Sequence, residues 1–488
     1  MYAKTLLNLK NKGKKYNYMS NHDQFLFLLI IFLLSSYNSS SKQNQRYLNS
    51  YYSKIHLVIQ GTGNQDLIYS GFSYTPSEVY VNGISQNGAC GKNCVLEEEI
   101  SNITLVFEEK LTTLAQMFYL LINITEIDLS EFDASKVANM ASTFSRCEKL
   151  KRINFGNINT SSVKTMNNLF SECYNLESID LTNFDTSSVT DMSYMFLSCL
   201  ALKEINVSNF NTINVKAMKS MFNKCKSIKS LDISNFQTNE TTNMFFMFFK
   251  CENLTNLNLG NIDTSNVEDM SYFLGGCISL QSLDISKFDS SKVTNMTSMF
   301  QKCWSLNSIN FGNIDTSNVK DMSNLFSDCY SLTTLNISNF DTSKVINMSS
   351  MFNNCTNLEN LYLGNLVTSS VQNMSSLFSK CEKLTSIDLT NFNTSSVTDM
   401  GQMFYHCDSL QSIYFSELFN TSNVTSMFYM FSDCGELSTI DLSNFDTSKV
   451  TRMDYMFNNC TQLRYLDLSN FNTPYIDNMN SMFIIVIH

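Results

Sequence analysis

The chain has 488 residues, 43% of them hydrophobic, with only two prolines, so it can bury a core and is not disordered by composition. Its formal net charge of −11 argues against nucleic acid as a main partner. The four histidines, His22, His56, His406 and His488, lie far apart, and no phosphate loop, zinc spacing or nucleophile elbow is present. No catalytic residue, metal site or cofactor is therefore expected.

The first 24 residues carry Lys4, Lys10, Lys12, Lys14 and Lys15, followed by "FLFLLIIFLL" and then small polar residues. A basic start, a short apolar run and small residues describe a secretory signal over residues 1–36, with a hydrophobic signal anchor as the alternative. Met19 offers a second start. The apolar run is short for a span of about 20 residues. Removing residues 1–36 takes the net charge to about −15. Residues 37–54 read as a polar linker. Sequons such as Asn38, Asn102, Asn123, Asn206, Asn253, Asn295 and Asn336 are frequent, as a repeat rich in Asn, Ser and Thr produces by composition alone.

Residues 55–120 read as a small β-rich N-terminal cap. "KIHLVIQG", "EVYVNGIS" and "NITLVFEE" are strand-like, separated by turn residues. Within it, "CGKNC" places Cys90 and Cys94 where a disulfide would close a short loop in an oxidising compartment; a metal site lacks a nearby histidine.

From residue 121 onward the chain repeats. Cys147, Cys173, Cys199 and their successors recur every 26 residues up to Cys407, and then come Cys434 and Cys460. So short a period cannot hold its own core, and the coils must stack into one elongated solenoid. Each coil combines two patterns. In "LESIDLTNF", Ile179 and Leu181 alternate with Asp180, as in a strand. In "VTDMSYMFLSCLAL" the apolar residues fall three, three, one, three and three apart, which predicts a helix of about three turns. Ser188 with Asp191 resembles its capping pair. The expected fold is an α/β repeat solenoid of residues 121–488, leucine-rich-repeat-like, with one short strand and one short helix per coil.

The chain ends on "IIVIH", with Val486 where the next cysteine is due. A truncated C-terminus is the expectation, and only an apolar span of about 20 residues beyond it would make the chain a membrane-anchored one.

The order L-x-x-I-x-L resembles the strand of leucine-rich repeats, and "LSNFDTSxVTxMxxMFxxC" resembles the 26-residue repeat of bacterial surface proteins, the BspA-like leucine-rich family, over residues 121–483. That resemblance implies a right-handed solenoid, a cell-surface or secreted location, and adhesion or recognition. It supplies no catalytic residues. In this chain Asn183, Asn209, Asn339 and Asn391 come two residues after the last strand leucine rather than three, with phenylalanine next. That departure argues against an asparagine ladder of the usual form and for a spine of Phe184, Phe210 and their equivalents.

The ladder cysteines sit on the apolar face, where they act as small buried hydrophobes, form disulfides between coils, or bind metal. The methionine columns are core filler. Functional candidates lie on the outward strand column. Asp180, Asp232, Asp284, Asp388, Asp441 and Asp467 share it with Asn154, Asn206, Asn258 and Asn310, and Tyr362 and Tyr414 interrupt it. Such a face suits calcium or a basic partner, or is simply solvated. The function expected is adhesion or protein recognition at a surface, through protein or glycan ligands, with no nucleic acid, and membrane contact only through an anchor. A structural spacer and a secreted enzyme sited in the cap are the alternatives.

Overall fold

The computed structural model describes residues 53–483; the expected signal, most of the expected linker and the terminal "IIVIH" lie outside the described residues. Six strands come first: β1 (Ser53–Gln60), β2 (Gly63–Asp66), β3 (Glu78–Val81), β4 (Ile84–Ser85), β5 (Asn93–Leu96) and β6 (Ile100–Phe107). Alternation drives β1, whose Ile55, Leu57 and Ile59 face inward. β1 pairs antiparallel with β6 on one side and with β7 (Ile124–Asp128) on the other. β7 is the first strand of the coils, and it pairs in parallel with β8 (Arg152–Asn154). One six-stranded sheet, β4-β3-β6-β1-β7-β8, thus joins the N-terminal strands to the repeats.

Later coils contribute three-residue strands in parallel pairs. β9 (Ser230–Asp232) lies beside β10 (Asn256–Asn258), and β11 (Ser282–Asp284) beside β12 (Ser308–Asn310). β13 (Thr334–Asn336) pairs with β14 (Asn360–Tyr362), and β15 (Ser386–Asp388) with β16 (Ser412–Tyr414). A second ladder runs down the other side of the stack. Its parallel bridges pass from Thr113 through Asp191 and Asn347 to Asn478, one residue per coil.

The expected helix does not form. Among the described residues there is no helix, so none is long and apolar enough to cross a membrane. The fold is a β-solenoid rather than an α/β one. Over 192–199 the backbone makes tandem β-turns. The N–H groups of Met195, Leu197 and Cys199 donate to the carbonyls three residues back, at Met192, Tyr194 and Phe196. Those of Met192, Tyr194, Phe196 and Ser198 donate instead to Ala217, Lys219, Met221 and Asn223 of the next coil. Every donor is satisfied without an i−4 bond. Tyr194 (φ 59°) and Ser198 (φ 57°) are the left-handed third residues of turns of the type II kind. The proposed capping pair is likewise dissolved. Ser188 donates to the Ser161 carbonyl of the previous coil, and Asp191 accepts from Ser193 N–H.

One apolar core runs from the N-terminal sheet through the coils. Its stacked aromatic element is not the Phe184 column but the phenylalanine three residues before each ladder cysteine other than Cys277. Phe144, Phe170, Phe196 and Phe222 stack nearly parallel with centroids 5.4–5.5 Å apart. The file is broken where Leu274 takes the phenylalanine place, and Phe248 meets Phe273 edge-on there. The Phe184 column is also largely buried, but its rings touch only locally, as between Phe210 and Phe236. Asparagine amides bond the turn backbone in some coils. Asn209 donates its amide to the carbonyls of Leu181, Thr182 and Phe184, and Asn470 repeats this at Leu442, Ser443 and Phe445.

All thirteen ladder cysteines are free and buried. Cys90 and Cys94 are joined by a disulfide with Cα atoms 4.8 Å apart.

Candidate functional site

In each coil the strand triplet turns its middle residue inward and its two flanking residues outward, because side chains alternate across a strand. Two parallel files result on one face. The file named from sequence holds Asp180, Asp232, Asp284, Tyr362, Asp388, Tyr414, Asp441 and Asp467, all exposed. Asp232, Asp284, Tyr362, Asp388 and Tyr414 close β9, β11, β14, β15 and β16, while Asp180, Asp441 and Asp467 occupy the same place in coils without a named strand. The second file lies two residues earlier: Ser230, Ser282, Asn360, Ser386, Ser412, Thr439 and Tyr465. Sequence reasoning passed over Tyr465, although its position two before Asp467 puts it on the same face.

The aspartates first serve their own coil. Oδ1 of Asp232, Asp284, Asp388, Asp441 and Asp467 accepts the N–H two residues on, at Ser234, Ser286, Thr390, Ser443 and Ser469. These are Asx turns that fix the chain's exit from the strand. Hydrogen bonds from Thr390, Ser443 and Ser469 hold Asp388, Asp441 and Asp467 below the ordinary carboxyl value, so all three are anionic at neutral pH.

Beyond that shared role the face divides. In the earlier coils each aspartate is followed by an asparagine, and in every such pair except Asp180 and Asn206 the amide crosses to the acid's other oxygen. Asn154 reaches Asp128 at 3.0 Å, Asn258 reaches Asp232 at 3.0 Å, and Asn310 reaches Asp284 at 3.2 Å. Those carboxylates are internally paired, and like charges never stand directly opposite. From Asn336 onward the order becomes Tyr362, Asp388, Tyr414, Asp441, Asp467, and the crossing amides cease. Tyr362 and Tyr414 are each 55% exposed and Tyr465 is 68% exposed, large values for aromatic rings.

Two depressions mark the ends of the face. One of about 600 Å³ lies where β6, β1, β7 and β8 meet and is lined by His56, Thr104, Glu126, Asp128, Arg152 and Asp180 among others. His56 is tied there to the Thr104 hydroxyl at 3.0 Å. The other, of about 520 Å³, lies between Tyr414 and Tyr465 with Thr439, Asp441 and Asp467 in its lining. Among the described residues no group of three or more His, Cys, Asp or Glu is placed to hold a metal ion.

A family model described as "Mycoplasma protein of unknown function, DUF285" matches residues 96–179, 175–282, 249–336, 331–416 and 388–486. No curated protein matches. Among solved structures, the functional domain of InlJ from Listeria monocytogenes, which includes a cysteine ladder, is similar at 15% identity over 75% of this chain and 67% of that one, with a TM-score of 0.23. A leucine-rich repeat protein from Eubacterium ventriosum is similar at 15% identity over 70% of this chain and 92% of that one, with a TM-score of 0.28.

Proposed function

Since the chain belongs to the DUF285 family, whose model repeats along residues 96–486, we propose that it is a surface-displayed recognition scaffold whose partner, a protein or glycan, lies against the outward strand face. The observation that carries this reading is the change of character along that face. Where Asp128, Asp232 and Asp284 are bonded to asparagines of the next coil, the surface is self-satisfied and acts as a spacer. Where Tyr362, Tyr414 and Tyr465 stand exposed beside Asp388, Asp441 and Asp467, it offers aromatic area that nothing in the coil requires and carboxylates to which no asparagine of the next coil crosses. Exposed tyrosines combine a large rigid contact area with a polar tip and little rotamer entropy. The BspA-like character of the repeat and the basic, then apolar, N-terminus support delivery to the cell exterior. Catalysis has no place in this reading.

The test is binding of the purified chain to an array of extracellular proteins and glycans, with two variants. Replacing Tyr362, Tyr414 and Tyr465 together by Ser is expected to weaken at least one partner about a hundredfold, as loss of clustered aromatic anchors does. Replacing Asp232 and Asp284 by Asn is expected to leave the same partner bound. Retention of every partner by the tyrosine variant removes this face from the function.

A further inference from the structure

The chemistry of the partner follows from the spacing of the tyrosines, on the premise that the face binds a macromolecule. Tyr362 and Tyr414 occupy the same position two coils apart, and Tyr465 lies two coils further, in the adjoining file. The coils are held in register here by pairing of Asp388 with Tyr414 and by the bridge from Thr439 to Tyr465. Parallel neighbours lie about 4.8 Å apart, so one tyrosine recurs every ~9.6 Å along the stack. Asp388 and Asp441 fall in the coils between, with Asp467 beside Tyr465.

Few peptide conformations present one side chain to one edge at that interval. An extended strand returns a side chain to the same face every ~6.8 Å. An α-helix does so about every 5.4 Å. A polyproline II helix has three residues per turn and a rise of 3.1 Å, so residues i, i+3 and i+6 line one edge about every 9.3 Å. Along the stack the two repeats drift apart by only about 0.6 Å from Tyr362 to Tyr465, while Tyr465 also stands two residues to one side, about 6.6 Å across, so its ring meets the segment from beside the line of the other two. Rings separated by that step suit proline, which packs on aromatic faces in grooves of this kind. The charge is complementary as well. Between Asn360 and Asp467 the two outward files contain three aspartates and no lysine or arginine. Each aspartate commits Oδ1 to its own turn, which holds the carboxylate rigid for an incoming cation.

We propose that the strand face between Tyr362 and Asp467 binds a proline-rich segment in the polyproline II conformation that carries arginine or lysine at every third residue. Prolines lie on Tyr362 and Tyr414 and, one file across, on Tyr465; the depression between Tyr414 and Tyr465 takes one turn of the segment, successive basic side chains reach Asp388 and Asp441, two coils apart, and Asp467, one coil beyond Asp441, adds negative charge at that end. The segment is already ordered before it binds, so little conformational entropy opposes docking.

Fluorescence anisotropy with the whole chain and a labelled peptide of about five Pro-Pro-Arg triplets, roughly 46 Å long, tests this. A Gly-Ser-Arg peptide of equal length and charge, and a Pro-Pro-Glu peptide, serve as controls. The Pro-Pro-Arg peptide is expected to bind at least about tenfold tighter than Gly-Ser-Arg, and Pro-Pro-Glu not at all. Tyr414→Ser is expected to weaken it about tenfold at unchanged charge, and Asp441→Asn to weaken it and flatten its salt dependence. Both positions are exposed, and an unchanged melting temperature confirms that each variant folds. Equal affinity for the two arginine peptides, indifference to Tyr414→Ser, or no binding of Pro-Pro-Arg overturns the proposal. If the peptide fails while the triple tyrosine variant still loses a partner on the array, only the polyproline assignment falls. If that variant loses none, the recognition reading falls with it.

Discussion

At the residue scale, the cysteine of each coil is held the same way throughout. The thiol of Cys173 donates to the Phe144 carbonyl at 3.1 Å, that of Cys251 to Phe222 at 3.1 Å, and that of Cys355 to Phe326 at 3.2 Å. The buried sulfur thus serves as both apolar filler and weak donor. Burial pushes the thiols of Cys251, Cys303 and Cys355 up to about 12, from an ordinary 9.0. Two consequences are measurable. A thiolate-selective reagent at pH 8 is expected to find almost no reactive sulfur in the native chain, and thirteen once guanidinium has unfolded it. Native titration of several thiols would show the ladder turned outward. The second consequence is a loss of stability in alkali. The unfolded chain ionises its thiols near 9.0 while the folded one keeps them protonated, so the contribution is complete below about pH 9. It is lost as pH rises through 9 to 12. Urea midpoints measured every half pH unit should stay level to about pH 8.5 and then fall.

At the scale of the element, the helix that the spacing predicts and the tandem turns that form have the same signature. In a helix, residues three apart share a face. A β-turn brings its first and fourth residues within about 7 Å, so turns laid end to end also set apolar residues three apart. Met192 with Met195, and Phe196 with Cys199, are the ends of such turns. The pattern therefore made the inward columns, the period and the outward file legible, since these depend only on which residues recur. It could not separate the two backbones. The missing clue was the hydrogen-bond partner, which lies in the next coil. Tyr465 escaped for a different reason. Only one of the two outward columns was followed, although strand alternation licensed both. The phenylalanine stack runs through the MFxxC motif, but the spine expected from sequence was the Phe184 column, because recurrence alone does not show which rings lie face to face. A single substitution tells the two backbones apart by sign. Ser350 has φ 57°. In a helix, Ser350→Gly would destabilise by about 0.5 kcal/mol. At a left-handed position an L-residue costs roughly 1–2 kcal/mol, against about 0.4–1 kcal/mol for the extra freedom glycine gives the unfolded chain. The net expectation is a gain of about 0.5–1 kcal/mol, read as a higher urea midpoint.

At the scale of the whole molecule, a stack of parallel coils has a problem at its first strand, whose outer edge presents unpaired N–H and carbonyl groups. β1 solves it by pairing antiparallel with β7, from His56 opposite Asp128 to Ile59 opposite Ile124, while its other edge is taken by β6. The inward side chains Ile55, Leu57 and Ile59 cover the end of the core in the same step. The N-terminal sheet thus completes a structure whose later coils depend mainly on their neighbours, and stability in such arrays is approximately a sum of local and nearest-neighbour contributions. A charge placed under this cover should therefore act locally. Leu57→Asp buries a carboxylate among Ile103, Leu105 and their neighbours, and is expected to cost more than about 3 kcal/mol in the cap. Native-state hydrogen exchange, followed by peptide, should show protection lost over residues 53–128, with the β7 edge opening as β1 leaves it. Coils around Cys355 and Cys407 should keep their protection, because the turn ladder and phenylalanine stack there make no contact with β1 and each coil is held from both sides. Equal loss of protection along the whole array would mean instead that the coils melt as one unit with the cap, and the nearest-neighbour account would be wrong.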